Sequence, residues 1–191
     1  MRIGVLALQG DVREHLASLA GAGAEAVEVR TPAQLRGLDG LVIPGGESTT
    51  LGILLAKGSL DRAIEGFARG GGAVFGTCAG LILMARSING SRQPRLGLMD
   101  VQVDRNAYGR QVQSFEAWLA IPALGERPFA GIFIRAPQVA AVGPGVEVLA
   151  ELAGRPILVR QGRLLAAAFH PELTGDLRVH RYFLSLVAEA T

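Results

Sequence analysis

Cysteine is scarce in this chain. Cys78 is the one cysteine among 191 residues, so no internal disulfide and no cysteine-cluster metal site can form, and the residue has to be read on its own. Long apolar runs are missing as well. Stretches such as Ile3 to Leu8 and Leu164 to Phe169 fall far short of the roughly 20 residues that cross a bilayer, which excludes a membrane span. Blocks of like charge are also absent: 19 basic and 17 acidic residues are scattered along the chain for a net charge of +2. Although the sequence pI of about 9.2 is basic, this distribution gives little support to nucleic-acid binding. No internal repeat, low-complexity tract or linker occurs, and the length predicts one domain spanning residues 1–191. Met1-Arg2 leads straight into a strand-like run with neither a charged leader nor a small-residue cleavage site. The start therefore predicts structure rather than a signal peptide, with a cytoplasmic location as the default.

What is present describes an α/β enzyme: 49% hydrophobic residues, 19% charged, and 26 glycines to make tight turns. In the first half, short apolar runs (Ile3 to Leu8, Ala26 to Val29, Leu41 to Ile43, Ala73 to Phe75) alternate with helical patterns at Val12 to Leu19 and Leu60 to Phe67. This rhythm predicts an open, mostly parallel sheet with helices on both faces. From Val101 to about Phe169 the pattern turns strand-like, at Ala117 to Ile121, Gly131 to Ile134, Pro156 to Val159 and Leu164 to Phe169, and predicts added antiparallel strands. Arg178 to Ala188 reads as a closing helix whose apolar face is Val179, Tyr182, Phe183, Leu186 and Val187.

Three segments carry chemistry. Phe75-Gly76-Thr77-Cys78-Ala79-Gly80-Leu81 sets a nucleophile between two glycines, after an apolar strand and before an apolar stretch, which reads as a nucleophile elbow. The helix dipole and free N–H groups there favour a thiolate, and the Ala79 N–H can serve an oxyanion. A lone cysteine is otherwise most often a buried structural residue; the flanking glycines reverse that preference. Phe169-His170-Pro171-Glu172 follows the last apolar strand and offers an imidazole base with a carboxylate to orient it, although an isolated His-x-Glu is as readily a surface turn. His15 and His180 fall on predicted helices, less well placed for catalysis, and without partners at ligand spacing they make no metal-binding cluster. Pro44-Gly45-Gly46-Glu47-Ser48-Thr49-Thr50 follows a strand at the same sheet edge and can bring backbone N–H groups to a reacting carbonyl. A Walker phosphate loop requires a lysine that Lys57, the chain's only one, is wrongly placed to supply. The plainer alternative is a tight turn into a helix capped by Ser48 or Thr49.

Five stretches together resemble the class I, triad-type glutamine amidotransferases, and among them the glutaminase subunits of pyridoxal 5'-phosphate synthase. They are Gly4-Val5-Leu6-Ala7-Leu8-Gln9-Gly10-Asp11 with Arg13-Glu14-His15; Pro44 to Thr50; Arg105-Asn106-Ala107-Tyr108-Gly109-Arg110-Gln111 with Ser114-Phe115-Glu116; Phe133-Ile134-Arg135-Ala136-Pro137; and Phe169-His170-Pro171-Glu172-Leu173-Thr174. Gln113, where an acidic residue is often expected, is a departure at a position without assigned chemistry. The resemblance implies a flavodoxin-like fold, a catalytic triad of Cys78, His170 and Glu172, and an oxyanion hole at Gly46 and Ala79. It implies L-glutamine held by Gly46, Glu47, Ser48, Arg105, Ile134 and Arg135, with no metal and no cofactor. It further implies a separate synthase subunit that receives the ammonia in a large hetero-oligomer, and contact with that partner is expected at Gln9, Gly10 and Asp11. Rival readings are another amidotransferase or a γ-glutamyl hydrolase with the same triad, and a non-catalytic module whose cysteine senses redox state.

Overall fold

The computed structural model describes residues 1–105 and 114–189, so the stretch from Asn106 to Gln111, and Gln113, lie outside the described residues. In chain order the first half runs β1 (Arg2–Leu6), α1 (Val12–Gly21), β2 (Glu25–Val29), β3 (Gly40–Ile43), α2 (Ser48–Lys57), α3 (Leu60–Arg69), β4 (Ala73–Thr77) and α4 (Ala79–Met84). The second half adds β5 (Ala85–Ile88), β6 (Met99–Asp104), β7 (Ser114–Leu119), β8 (Phe129–Ile134), β9 (Gln138–Val142), β10 (Glu147–Leu152), β11 (Arg155–Gln161), β12 (Leu164–Ala167) and α5 (Arg178–Ala188).

Strands β3 and β4 are buried along their whole length, the pattern of central parallel strands covered on both faces. They belong to a seven-stranded sheet of order β10-β11-β12-β4-β3-β1-β2. Pairing is parallel from β2 through β1, β3 and β4 to β12, and antiparallel from β12 through β11 to β10. Helix α1 packs with α5, and α2 packs with α3 and α4, giving the sheet its two covering layers. On α3, Leu60 and Ile64 are buried with Ala63 and Phe67 packed beside them, and the chain leaves the helix at Gly70. The antiparallel strands expected in the second half are also found in two smaller sheets, β5-β6-β9 and the hairpin β7-β8.

Two details differ from the sequence reading. The cap of α2 is Glu47, whose carboxylate accepts from the N–H groups of Thr49 and Thr50, and Ser48 is already helical. A carboxylate can take both free N–H groups at once and also suits the positive end of the helix, which a hydroxyl cannot match. The buried face of α5 is wider than its apolar pattern, because His180 and Leu184 are buried with Val179, Phe183, Leu186 and Val187.

Strand order in the parallel part reverses between β1 and β3, and ligands of such sheets bind beyond the carboxyl ends of the strands at that point. Four of the loops on that edge lie around this point or carry the chemistry: residues 7–11 after β1, 44–47 after β3, Cys78 after β4, and 168–172 after β12. Every segment singled out for its chemistry, apart from Arg105, Ile134 and Arg135, is one of these four.

Candidate active site

Cys78 joins β4 to α4 with φ 48° and ψ −101°, outside the regions a non-glycine residue ordinarily occupies. Backbone crowding explains the two glycines around it. A Cβ on Gly76 would lie 2.6 Å from the carbonyl carbon of Gly80, and one on Gly80 would lie 2.1 Å from the Ile43 carbonyl oxygen. Strand end, helix start and β3 are thus packed backbone to backbone, and the thiol is turned into a cavity. Ala79, as the first residue of α4, has no intrahelical acceptor for its N–H.

The cavity measures about 430 Å³ and brings Cys78 together with His170, Gly46, Glu47, Ser48, Arg105, Ile134 and Arg135; Asp11, Thr49 and Ile82 complete its lining. The Cys78 thiol points to the Ile134 carbonyl oxygen at 3.7 Å. His170 is buried; its Nδ1 lies 2.8 Å from Glu172 Oε1 and 3.3 Å from Asp11 Oδ2, while its Nε2 has no hydrogen-bond partner among the described residues. A ring held by a carboxylate at Nδ1 leaves Nε2 as the nitrogen that can exchange a proton. Burial would lower the His170 pKa, but the contacts with Asp11, Cys78 and Glu172 outweigh it and push it up to about 12. Glu172, equally buried, is driven the other way: burial raises its pKa, and His15 and His170 together hold it well below the usual carboxylate range. The pair therefore favours imidazolium and carboxylate. Asp11, His170 and Glu172 are close enough to one another to be metal ligands, but the 2.8 Å contact already accounts for two of them as hydrogen-bond partners.

The glycine-rich loop is braced from three sides. Gln9 Oε1 accepts from the Glu47 N–H at 3.3 Å; Gly10, at φ 97°, lies so close to the Gly45 carbonyl that a Cβ would overlap it; and Gly45 lies against the His170 ring. The residues expected to meet a partner thus touch the Gly45-Gly46 loop, and Asp11 reaches His170 itself. Glu47 is loaded with hydrogen bonds from Thr50 and Thr49; these outweigh the effect of burial and lower its pKa to about 2, so a full negative charge faces the cavity. Arg105 supplies positive charge and is anchored by bonds to Gln93 Oε1 at 2.6 Å and Thr49 Oγ1 at 2.9 Å. Arg135, at φ 43°, adds a second arginine to the lining. Charges of both signs lining one cavity suit a zwitterionic amino acid.

Three residues outside the expected set belong to the surroundings of the site. Gln93 gathers bonds from Ser48, Thr49 and Arg105 on one oxygen, and no spacing marks it in the sequence. His15 and His180, predicted on separate helices without partners, meet behind Glu172, with His15 Nε2 3.4 Å from Glu172 Oε2. The signal for His15 was its place one helical turn after Asp11.

The model of the SNO glutamine amidotransferase family matches residues 5–189. A relative from Pelotomaculum thermopropionicum named pyridoxal 5'-phosphate synthase subunit PdxT is 61% identical over 190 residues, covering 100% of this chain and 97% of that protein. A crystal structure of a glutamine amidotransferase superposes with a TM-score of 0.93 at 52% identity, covering 97% of this chain and 98% of its own. The structure of PurLQS from Thermotoga maritima, at 17% identity and a TM-score of 0.69 over 100% of this chain and 99% of the matched one, shares the fold.

Proposed function

The chain belongs to the SNO glutamine amidotransferase family, and from that membership we propose that Cys78, His170 and Glu172 hydrolyse L-glutamine to L-glutamate and ammonia through a thioester. One observation carries the reading: a cysteine at φ 48° opens into the same cavity as a histidine whose Nδ1 is held by a buried carboxylate. His170 Nε2 holds the proton taken from the thiol, in keeping with the imidazolium that the site favours, and the thiolate adds to the side-chain amide carbon. The N–H groups of Ala79 and Gly46 stabilise the oxyanion, and collapse with proton return from His170 releases ammonia and leaves the thioester. His170 then takes a proton from water, the hydroxide adds to the thioester, and loss of glutamate returns the proton to sulfur. Glu172 keeps the imidazole aimed and stabilises its charged form. Arg105 and Arg135 answer the substrate α-carboxylate, and Glu47 its α-ammonium, while Ser48 and Ile134 complete the walls.

A glutaminase working alone wastes its substrate. The relatives' name supports a partner: a synthase subunit that uses the ammonia to build pyridoxal 5'-phosphate, associated with this chain in a cytoplasmic hetero-oligomer. Gln9, Gly10 and Asp11 suit the contact, because pressure on them is passed to the Gly45-Gly46 loop they touch. The test is glutamate release from glutamine by the purified chain, alone and with the synthase subunit, beside Cys78→Ala. Activity should rise with the partner and vanish in the variant; turnover retained by Cys78→Ala would reject the thioester route.

A further inference from the structure

His15 and His180 are both fully buried, one on α1 and the other on α5, and meet beneath the end of β4. Core histidines carry a desolvation cost that a leucine of similar size would avoid, so their partners decide what they are for. His15 Nδ1 lies 3.1 Å from His180 Nε2. His15 Nε2 lies 3.0 Å from Thr77 Oγ1 and 3.4 Å from Glu172 Oε2. That oxygen is the one His170 does not use; among the described residues it has no hydrogen-bond partner, and the His15 contact stands at ion-pair distance.

We propose that His180 and His15 are positioning residues for the triad, forming a directed run of hydrogen bonds that fixes the Glu172 carboxylate with Oε1 turned to His170. The inference rests on the reading of Cys78, His170 and Glu172 as the catalytic set. Direction follows from what each atom can do. An ionised carboxylate only accepts, so His15 must present an N–H at Nε2, shared with the Thr77 hydroxyl oxygen. A ring that carries its one proton at Nε2 accepts at Nδ1, so His180 donates to it from Nε2. This leaves a lone pair at the buried His180 Nδ1, which has no partner among the described residues, whereas the reverse direction would strand an N–H there, the costlier orphan. The low basicity of His180, driven down to about 3 chiefly by burial, agrees with a neutral ring that donates once.

The ring planes are held as well. Phe75 meets the edge of both imidazoles, with centroids at 6.3 Å from His15 and 6.0 Å from His180 and interplanar angles of 86° and 80°. Helix α1 also carries Asp11 one turn earlier, bonded through its carbonyl to the His15 N–H, with its carboxylate 3.3 Å from His170 Nδ1. One helical turn thus grips the triad at both of its inner members.

Two measurements test the proposal. The first is a kinetic cycle on glutaminase activity in the complex with the synthase subunit. His15→Leu should lower kcat by about ten- to a hundredfold, part of the roughly 10²–10⁴ that a positioned general base contributes, with KM changed less than about twofold. His15→Gln, which can place an N–H near the position of Nε2, should recover most of the loss. In a Glu172→Gln background, His15→Leu should cost less than about twofold more; additive losses would show mere packing and overturn the proposal. The second is the tautomer of each ring, read from imidazole ¹⁵N shifts of the wild-type chain, which decides the matter even if His15→Leu fails to fold. Both rings should carry the proton on Nε2; a proton on Nδ1 of His15 instead would remove the donor to Glu172 and overturn it. Absence of glutaminase activity in the wild-type complex would reject the catalytic reading, while the tautomers would still report whether His15 donates to that carboxylate.

Discussion

Cys78 can hold φ 48° only because its neighbours leave the backbone no alternative. Strain of this kind costs on the order of 1–3 kcal/mol and persists where packing over-determines it. The packing here is backbone on backbone: the Gly80 Cα faces the Ile43 carbonyl, and β3 is pinned between β1 and β4. Gly80→Ala must therefore shift a central strand or the helix start, and should lower the unfolding free energy by about 2 kcal/mol or more together with kcat. Gly66, in the middle of α3 with open space where its Cβ would stand, supplies the opposite sign. Gly66→Ala should stabilise the chain by about 0.5–1 kcal/mol, since alanine gains helix propensity without a clash. Urea unfolding of both variants checks the pair; equal effects would mean that the contact at Gly80 relaxes freely.

At the scale of elements, two loops from neighbouring strands form the floor of the site, and Gly10 is where they touch. An alanine there would meet the Gly45 carbonyl at 1.6 Å and would also have to adopt φ 97°. Gly10→Ala should leave the sheet intact by far-UV circular dichroism but reduce kcat at least about tenfold, by displacing the Gly46 N–H from the place proposed for the oxyanion; undiminished turnover would show that the two loops move independently. The elements that build this floor were legible in the sequence. Short apolar runs between glycines marked β1, β3, β4 and β12, and helical spacing marked α1, α3 and α5, because burial on one face leaves a local period. Local periods also placed Cys78, Gly46 and His170 at strand ends, and so gathered them before any contact was known. The cap at Glu47 was missed because hydroxyl and carboxylate caps leave similar patterns one residue apart. The meeting of His15 with His180, 165 residues apart in sequence, was missed because no local pattern reports a contact between two helices packed against each other. Gln93 stayed invisible for the same reason: its bonds to Ser48 and Thr49 span 45 and 44 residues.

For the whole molecule, the buried histidines set how stability responds to pH. Unfolded, each histidine binds its proton near the ordinary value of 6.5. Folded His180 stays neutral down to about 3, so between those values the unfolded chain binds more protons and stability falls as the pH falls. Glu172, whose carboxylate is held below its ordinary 4.5 by His15 and His170 against the effect of burial, adds to the acid loss from that value downward. His170 acts on the other side. Its folded form keeps a proton up to about 12, so the stability it contributes is complete below pH 6.5 and declines as the pH rises above it. The crest of stability should therefore lie near neutral pH, with a loss from His180 on the order of 2 kcal/mol between pH 6.5 and 4.5, at about 1.4 kcal/mol for each unit of pH. Urea midpoints at pH 4.5, 6.5 and 8.5 measure both limbs. His180→Leu should flatten the acid limb above pH 4.5 and leave the alkaline limb in place, whereas an acid limb equally steep in that variant would assign the proton uptake to another group.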